Sequence, residues 1–162
     1  MSSRLLVFAV VIVFASMGAT PKMQGGAAPK LTAYKTEAAA SIDGMFDMAQ
    51  QMVDSVFSFS ELGFQEFETQ RYLTAILEKE GFTIQRGVAG IPTAWTARFG
   101  SGKPVIVLGS DVDCIPEASQ KPAVPYRAPI IDGAPGHGEG HNSGVPLNIL
   151  AAIAVKRIMQ RD

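Results

Sequence analysis

A continuous apolar run at residues 103–109, with the sequence KPVIVLG, sets the architecture expected of this chain. A strand that is apolar along its whole length is typical of a sheet whose two faces are both covered by helices. Two helical patterns precede the run, at residues 31–59 and 66–80, where apolar side chains recur at a period near 3.6. A strongly apolar helix is predicted at residues 145–159. This order of elements predicts the α/β class, with a mixed sheet and N-terminal helices.

Two shorter strands are predicted before the apolar run, at residues 82–85 and 93–99. Gly81 is well placed to end the helix that precedes them. The sequence Gly-Ser-Gly at residues 100–102 indicates a tight hairpin into the apolar run. Residues 110–144 are rich in proline and lack periodicity, and a loop of that length in a compact domain is usually functional.

The first residues have the three-part pattern of a secretory signal: a short start containing Arg4, an apolar run at residues 5–15, and small residues just after it. The run is shorter than the roughly 20 residues that cross a bilayer. We therefore predict a signal peptide at residues 1–19, a linker at residues 20–30 and one domain at residues 31–162. The chain would be exported to the periplasm or secreted, touching the membrane only during export. An uncleaved membrane anchor is the alternative.

Charge and cysteine content exclude several classes of protein. The 14 basic and 15 acidic residues give a net charge of −1, which disfavours a nucleic-acid partner. The single cysteine, Cys114, rules out an intrachain disulfide framework and a zinc site built from several cysteines. We expect Cys114 to be a small buried side chain beside a strand, although an exported thiol next to Asp113 could also react or bind metal.

Two carboxylates, Asp111 and Asp113, follow the apolar run directly. Catalytic groups collect at the carboxyl ends of strands in open α/β sheets. Side chains two residues apart point to the same side of an extended segment, so a metal ion or a histidine nearby would relieve the repulsion between these two. A turn at the strand exit is the alternative, because aspartate is common there.

Both histidines of the chain, His137 and His141, flank Glu139 in a glycine-rich loop at residues 136–144. The alternating glycines remove bulk and allow positive φ, so the histidine and glutamate side chains can converge. Imidazole nitrogens and carboxylate oxygens are good ligands for Zn, Mn or Co, and the loop therefore predicts a metal site. A structural loop is one alternative. A phosphate loop is disfavoured, because its motifs require glycine at position 141 or a lysine soon after the loop.

The helix that follows the loop is predicted to have Ser143 as its N-cap and Pro146 in its first turn. Its positive dipole end would then face the loop and favour anionic groups there.

Four motifs resemble one known family. They are SELGFQE at residues 60–66, GVAGIPTA at 87–94, GSDVDCIP at 109–116 and GHGEGHN at 136–142. In this order they resemble the di-metal amidohydrolases, which include aminoacylases, glutamate carboxypeptidases and auxin-conjugate hydrolases. The chain is most similar to the aminobenzoyl-glutamate utilisation protein B-like amidohydrolases.

The resemblance implies roles for particular residues. The branch usually has Gly-His-Gly-Cys-Gly-His-Asn in the loop, so its ligand cysteine matches Glu139 and its ligand histidine matches His141. Asp113 matches the aspartate that orients a ligand histidine, and it is the catalytic candidate. Asp111 stands where the wider family has a ligand histidine, and its role stays open, as does that of His137. A carboxylate in place of the thiolate favours Zn or Mn with oxygen-rich ligation.

The resemblance also implies an activity and a partial chain. The activity is metal-dependent hydrolysis of the amide bond of N-acyl or N-aroyl amino acids, with two divalent ions, Zn or Mn, as cofactors. Family members carry a general-base glutamate and a lid domain after the loop, whereas this sequence stops at Asp162. We therefore expect an N-terminal fragment: part of a three-layer αβα catalytic domain without the lid, inactive and weakly metal-binding alone, with a homodimer possible only at full length.

Two other functions stay open at this point. A non-catalytic exported binding protein, or a truncated relic of the same family, would retain the loop without the enzyme. A membrane-anchored structural domain would require that the first apolar segment remain uncleaved.

Overall fold

The computed structural model describes residues 27–162. The predicted signal peptide and most of the predicted linker lie outside the described residues. Four helices and two strands follow one another in the order α1 Ala27–Asp43, α2 Phe46–Phe59, α3 Phe67–Lys79, β1 Thr83–Arg86, β2 Trp95–Arg98 and α4 His141–Met159. These elements confirm the predicted partial α/β architecture.

The first predicted helix is in fact two helices. The break falls at Gly44, where glycine weakens a helix, and the N–H of Met45 turns back to the carbonyl of Ile42 at 2.9 Å. Helix α1 begins at Ala27, so its first turn lies inside the stretch predicted as a linker. Arg161 Nη1 donates to Glu37 Oε2 at 2.6 Å and ties α1 to the segment that follows α4.

Helix α3 ends as the sequence predicts. Gly81 has a φ of 82°, in the left-handed region that glycine tolerates best. Its N–H donates to Glu78 O, and the N–H of Phe82 donates to Leu77 O, both at 2.9 Å. This pair of bonds is the Schellman motif, and it directs the chain from the helix into β1.

The two strands form a small antiparallel sheet. Thr83 pairs with Arg98 at one end of the ladder, and Arg86 pairs with Trp95 at the other. A short 3-10 helix over Val88–Gly90 lies in the connection between the strands. Both short strands predicted from the sequence are therefore confirmed, with boundaries shifted by one or two residues.

The strand predicted at residues 103–109 is wrong. This segment is irregular, and no strand among residues 27–162 pairs with it. Its side chains are exposed: Val105 by 63%, Ile106 by 80% and Val107 by 81%. A strand is stabilised by hydrogen bonds and side chains of neighbouring strands, and the described residues supply none here. The hairpin predicted at residues 100–102 is wrong for the same reason, since β2 pairs with β1 instead.

The hydrophobic core lies between α2, α3 and α4. Met52 and Val56 of α2 are one helical turn apart and pack against Leu73 of α3 and Ile153 of α4, and all four are fully buried. The core also contains Met45, Leu77, Val145, Ile149, Leu150 and Ala154. Methionines act as core filler here, as the sequence indicates. This packing fixes the position of α4, whose first residues belong to the glycine-rich loop.

Within residues 27–162, no helix combines the length and the apolar character needed to cross a membrane.

Candidate metal centre

Helix α4 begins earlier than predicted, at His141 instead of Val145. Its N-cap is Gly140, whose φ of 96° is accessible mainly to glycine and lets the chain enter the helix before Ser143. The N-cap predicted at Ser143 is therefore wrong: this residue lies in the first turn, where its Oγ donates to Gly140 O at 2.8 Å. Pro146 lies in the second turn, not the first, and is buried. The positive end of the α4 dipole faces the loop, as expected.

Two short backbone pairings fix the aspartate segment, one to the residues before α3 and one to the glycine-rich loop. The N–H of Cys114 donates to Glu61 O at 2.7 Å, while Ile115 and Gly136 exchange two N–H to carbonyl bonds at 3.1 Å. Gly136 is required at this crossing, because a Cβ there would lie 2.2 Å from Ala118 O. The two clusters predicted separately from the sequence are thus brought together.

Asp113 holds one edge of the His141 ring. The Nδ1–H of His141 donates to Asp113 Oδ1 at 3.0 Å and to the Asp113 carbonyl at 3.2 Å. With the proton on Nδ1, the neutral form of the ring has its lone pair on Nε2.

Two further carboxylates approach the opposite edge of the ring. The Nε2 atom of His141 lies 3.4 Å from Glu139 Oε2 and 3.9 Å from Asp111 Oδ2. Ligand atoms of Asp111, Asp113 and His141 all lie within 4.8 Å of one another, an arrangement that could hold a metal ion. Asp111, whose role the sequence left open, therefore joins Asp113 and His141 in this group, whereas Glu139 is outside the group and approaches only His141.

The surrounding carboxylates change the proton affinity of His141. Burial alone lowers the pKa of this imidazole, but the hydrogen bonds and charge of Asp113 and the charge of Asp111 outweigh it. The net result is a pKa above the usual value of 6.5. A divalent cation would be stabilised by the same negative charges that stabilise the imidazolium.

His137 does not join the cluster. Its Nε2–H donates to the carbonyl of Val56 at 3.1 Å, and its ring stacks on Phe57 with centroids 6.3 Å apart. Burial lowers the pKa of His137, so the ring is neutral near pH 7. The first histidine of the loop thus ties the loop to the end of α2, while the second lies among the carboxylates.

Cys114 is buried, as the sequence predicts, with 4% of its surface exposed. Burial, followed by the negative charge of Asp113, raises the pKa of the thiol from its usual 9.0 to about 11. The thiol is therefore protonated at physiological pH and is a poor nucleophile and a poor metal ligand.

We expect Cys114 to resist alkylation and disulfide exchange in the folded chain. With a pKa of about 11, only about one thiol in a thousand is ionised at pH 8, so Ellman's reagent should react at least about 100-fold more slowly than in urea. Since folding disfavours the thiolate, the free energy of unfolding should fall as pH rises from 9 towards 11. Equal reaction rates with and without urea would contradict this assignment.

Comparison with known proteins identifies a homologue of this chain. Over its matched residues the chain belongs to the aminobenzoyl-glutamate-like amidohydrolases, which confirms the family predicted from the motifs. The relative is a subunit of the p-aminobenzoyl-glutamate hydrolase of Escherichia coli (strain K12), and it is 37% identical over 110 residues. The match covers 68% of this chain and 23% of the relative. No family model matches, and no solved structure matches significantly.

Proposed function

We propose that this chain supplies a divalent metal site for hydrolysis of the amide bond in N-acyl or N-aroyl amino acids. The observation that carries the proposal is the cluster around His141, with Asp113 at Nδ1 and Glu139 at Nε2. The homologue supports it, because its name describes a hydrolase of p-aminobenzoyl-glutamate. Export is part of the proposal and depends on residues 1–19.

The donor atoms fit a single ion well. Two ligands on a tetrahedral zinc ion, each about 2.0–2.2 Å from it, lie about 3.4 Å apart. The separation between His141 Nε2 and Glu139 Oε2 is 3.4 Å. Asp111 Oδ2 lies 3.9 Å from the same Nε2 atom and is the next carboxylate that could approach the ion. Nitrogen and carboxylate oxygen donors in this combination suit zinc or manganese.

Asp113 would act through His141 and not as a ligand of the same ion. Its carboxylate accepts the Nδ1 proton at 3.0 Å, which fixes the ring orientation and makes Nε2 more basic. A carboxylate–histidine–metal arrangement of this kind gives Asp113 the orienting role that the family resemblance implies.

The ion would polarise the amide carbonyl and make a water molecule more acidic, which is the chemistry that amide hydrolysis requires. The chain itself adds the N-terminus of α4, which begins at His141 and therefore lies next to the site. A substrate carboxylate would be stabilised by this helix end, as anions are in general. We propose zinc or manganese as the ion, two ions in the complete site, and a small N-acyl amino acid as substrate.

Metal titration of the chain tests this proposal, and the variant Asp113→Asn tests the role of the Asp113 carboxylate in metal binding. We expect Zn²⁺ or Mn²⁺ to bind the unmodified chain, and the affinity to fall about 10- to 100-fold in the variant, because the Nδ1 proton loses its charged acceptor. Asp132→Asn is the matched control, since Asp132 is an exposed loop carboxylate that pairs with Arg127 and is not among the grouped ligands. Equal affinities for Asp113→Asn and the unmodified chain would contradict the proposal.

A hydrolysis assay with p-aminobenzoyl-glutamate and the same ions separates the remaining alternatives. Release of p-aminobenzoate would make this chain a hydrolase by itself, against the expectation that residues 19–162 alone are inactive. Metal binding without turnover would agree with that expectation, and also with a non-catalytic binding protein.

A further inference from the structure

Residues 103–111, which we call the open segment, form an apolar surface that lies outside the core. Every residue of the open segment is exposed, including four consecutive aliphatic side chains at residues 105–108. The most exposed of these are Ile106, at 80%, and Val107, at 81%. Exposed apolar side chains that adjoin one another on a soluble protein usually mark an interaction site.

The backbone of the open segment is also available for pairing. Within the part of the chain that the structure describes, the N–H and carbonyl groups of residues 103–108 have no hydrogen-bond partner. No residue of the segment has a positive φ, and three of its residues in a row are β-branched, which favours a strand. An unpaired strand of this kind is a template for pairing with a strand of another chain.

Two contacts hold the end of the open segment against α4. The side-chain amide of Asn148 donates to Gly109 O at 2.9 Å. A Cβ added to Gly144 would lie 3.2 Å from Ser110 Oγ. Because α4 is fixed in the core, this end of the segment has a fixed position, and a partner strand does not have to immobilise it on binding.

The charges of the open segment favour an antiparallel partner with the same sequence. Lys103 lies at its start and Asp111 at its end, with no charged residue between them. Two copies of the segment placed antiparallel bring Lys103 of each copy towards Asp111 of the other. A parallel arrangement would instead place like charges side by side, which is destabilising.

The register of such a pairing follows from the sequence. Lys103 and Asp111 are both four residues from Val107, so the opposite charges meet when Val107 lies on the two-fold axis. In this register Ile106 of one copy lies opposite Leu108 of the other, which forms aliphatic cross-strand pairs.

The missing N–H of proline is consistent with the same register. When the two Val107 residues exchange backbone hydrogen bonds, Val105 and Gly109 do so as well, because bonded pairs alternate along an antiparallel ladder. Pro104 then lies at a position that needs no N–H. Gly109 O already accepts the Asn148 amide, and a carbonyl oxygen has a second lone pair for the partner.

We propose that the open segment is a self-association surface, which pairs antiparallel with the open segment of a second copy of this chain about a two-fold axis at Val107. Pairing removes the aliphatic side chains of both copies from water and gives their backbone groups hydrogen-bond partners. The same surface is used by both copies, so the assembly closes as a dimer. This inference does not depend on the proposed function.

Disulfide cross-linking tests the axis directly. We expect Val107→Cys, oxidised with diamide, to form a covalent dimer, because the two Cα atoms at the axis would be about 5.5 Å apart, a normal disulfide spacing. Ile106→Cys is the matched control, since Ile106 is equally exposed but its two copies would be about 8 Å apart, beyond the reach of a disulfide. The control should cross-link at least about tenfold more slowly. Cys114 is buried and does not compete.

Sedimentation equilibrium with a chelator present tests the charges while no ion occupies Asp111. We expect the unmodified chain to dimerise with a Kd of about 10–100 µM, as suits an interface built from one short strand pair. Lys103→Asp should raise the Kd about tenfold or more, because it replaces attraction with repulsion at both ends of the ladder. The double variant Lys103→Asp, Asp111→Lys should restore the Kd to within about threefold. Lys121→Asp makes the same charge change at an exposed loop residue and should leave the Kd unchanged.

Several results would overturn the inference. A chain that stays monomeric at about 1 mM, far above the expected Kd, does not associate through this segment. Equal cross-linking of the two cysteine variants would show that Val107 does not lie on the axis. A dimer whose Kd is unchanged in Lys103→Asp would associate through another surface. A chain that dimerises as expected but binds neither Zn²⁺ nor Mn²⁺ would contradict the proposed function alone.

Discussion

Replacing His141 with alanine is expected to remove metal binding almost completely, with the affinity for Zn²⁺ or Mn²⁺ falling by more than about 100-fold. The imidazole lies against all three carboxylates of the cluster, since Asp113 lies at Nδ1 and Glu139 and Asp111 lie at Nε2. Without the imidazole, the cluster has no nitrogen donor. The three carboxylates also lose the ring that lies between them. Competition with a chromophoric chelator measures the change directly.

The neighbouring residue provides the control for this prediction. Asn142 also lies in the first turn of α4, but it lines a separate pocket with Phe57 and Pro122. Asn142→Ala should therefore bind metal within about twofold of the unmodified chain, the change expected of a substitution outside the ligand set. A chain that keeps its metal affinity after His141→Ala would bind the ion elsewhere, and the proposed site would be wrong.

Elements that depend on local sequence could be predicted well. Helix α3 and its end at Gly81 follow from apolar spacing and from one glycine with a φ of 82°. The strand predicted at residues 103–109 failed because a strand depends on partners distant in sequence. Apolar character alone predicted a buried strand, whereas the structure leaves Val105 and Ile106 exposed.

In the candidate site, too, contacts within one short segment could be predicted, whereas contacts between distant segments could not. The proximity of Glu139 and His141 was predictable because both lie in one short glycine-rich loop. The contact of His141 with Asp111 and Asp113 depends on the pairing of Ile115 with Gly136, which no local sequence pattern predicts. The family resemblance supplied Asp113, because motif order carries long-range information that periodicity lacks.

The sequence marks Glu66 only as the last residue of the SELGFQE motif. Its burial, beside Trp95 and Asp113, is seen only in the folded chain. The start of α4 was misjudged for a related reason. Serine at 143 and proline at 146 matched the usual preferences for a helix start, but the positive φ of Gly140 allows the helix to begin sooner.

Ile153→Ala is expected to lower the free energy of unfolding by about 3 kcal/mol, within the usual 2–5 kcal/mol for truncating a buried aliphatic side chain. Ile153 is 0% exposed at the centre of the core shared by α2, α3 and α4. Its loss leaves a cavity that surrounding helices can only partly fill. For a chain of this size the melting temperature should fall by roughly 6–12 °C, as measured by circular dichroism.

The matched control is Leu147→Ala on the same helix, because Leu147 is 66% exposed. Truncating a side chain that already faces solvent should change stability by no more than about 0.5 kcal/mol. Since α4 also carries His141, Ile153→Ala should bind metal normally at temperatures where it is folded, which separates loss of the scaffold from loss of the site. If both substitutions destabilised the chain equally, the packing of α4 against α2 and α3 would be wrong, and with it the position assigned to His141.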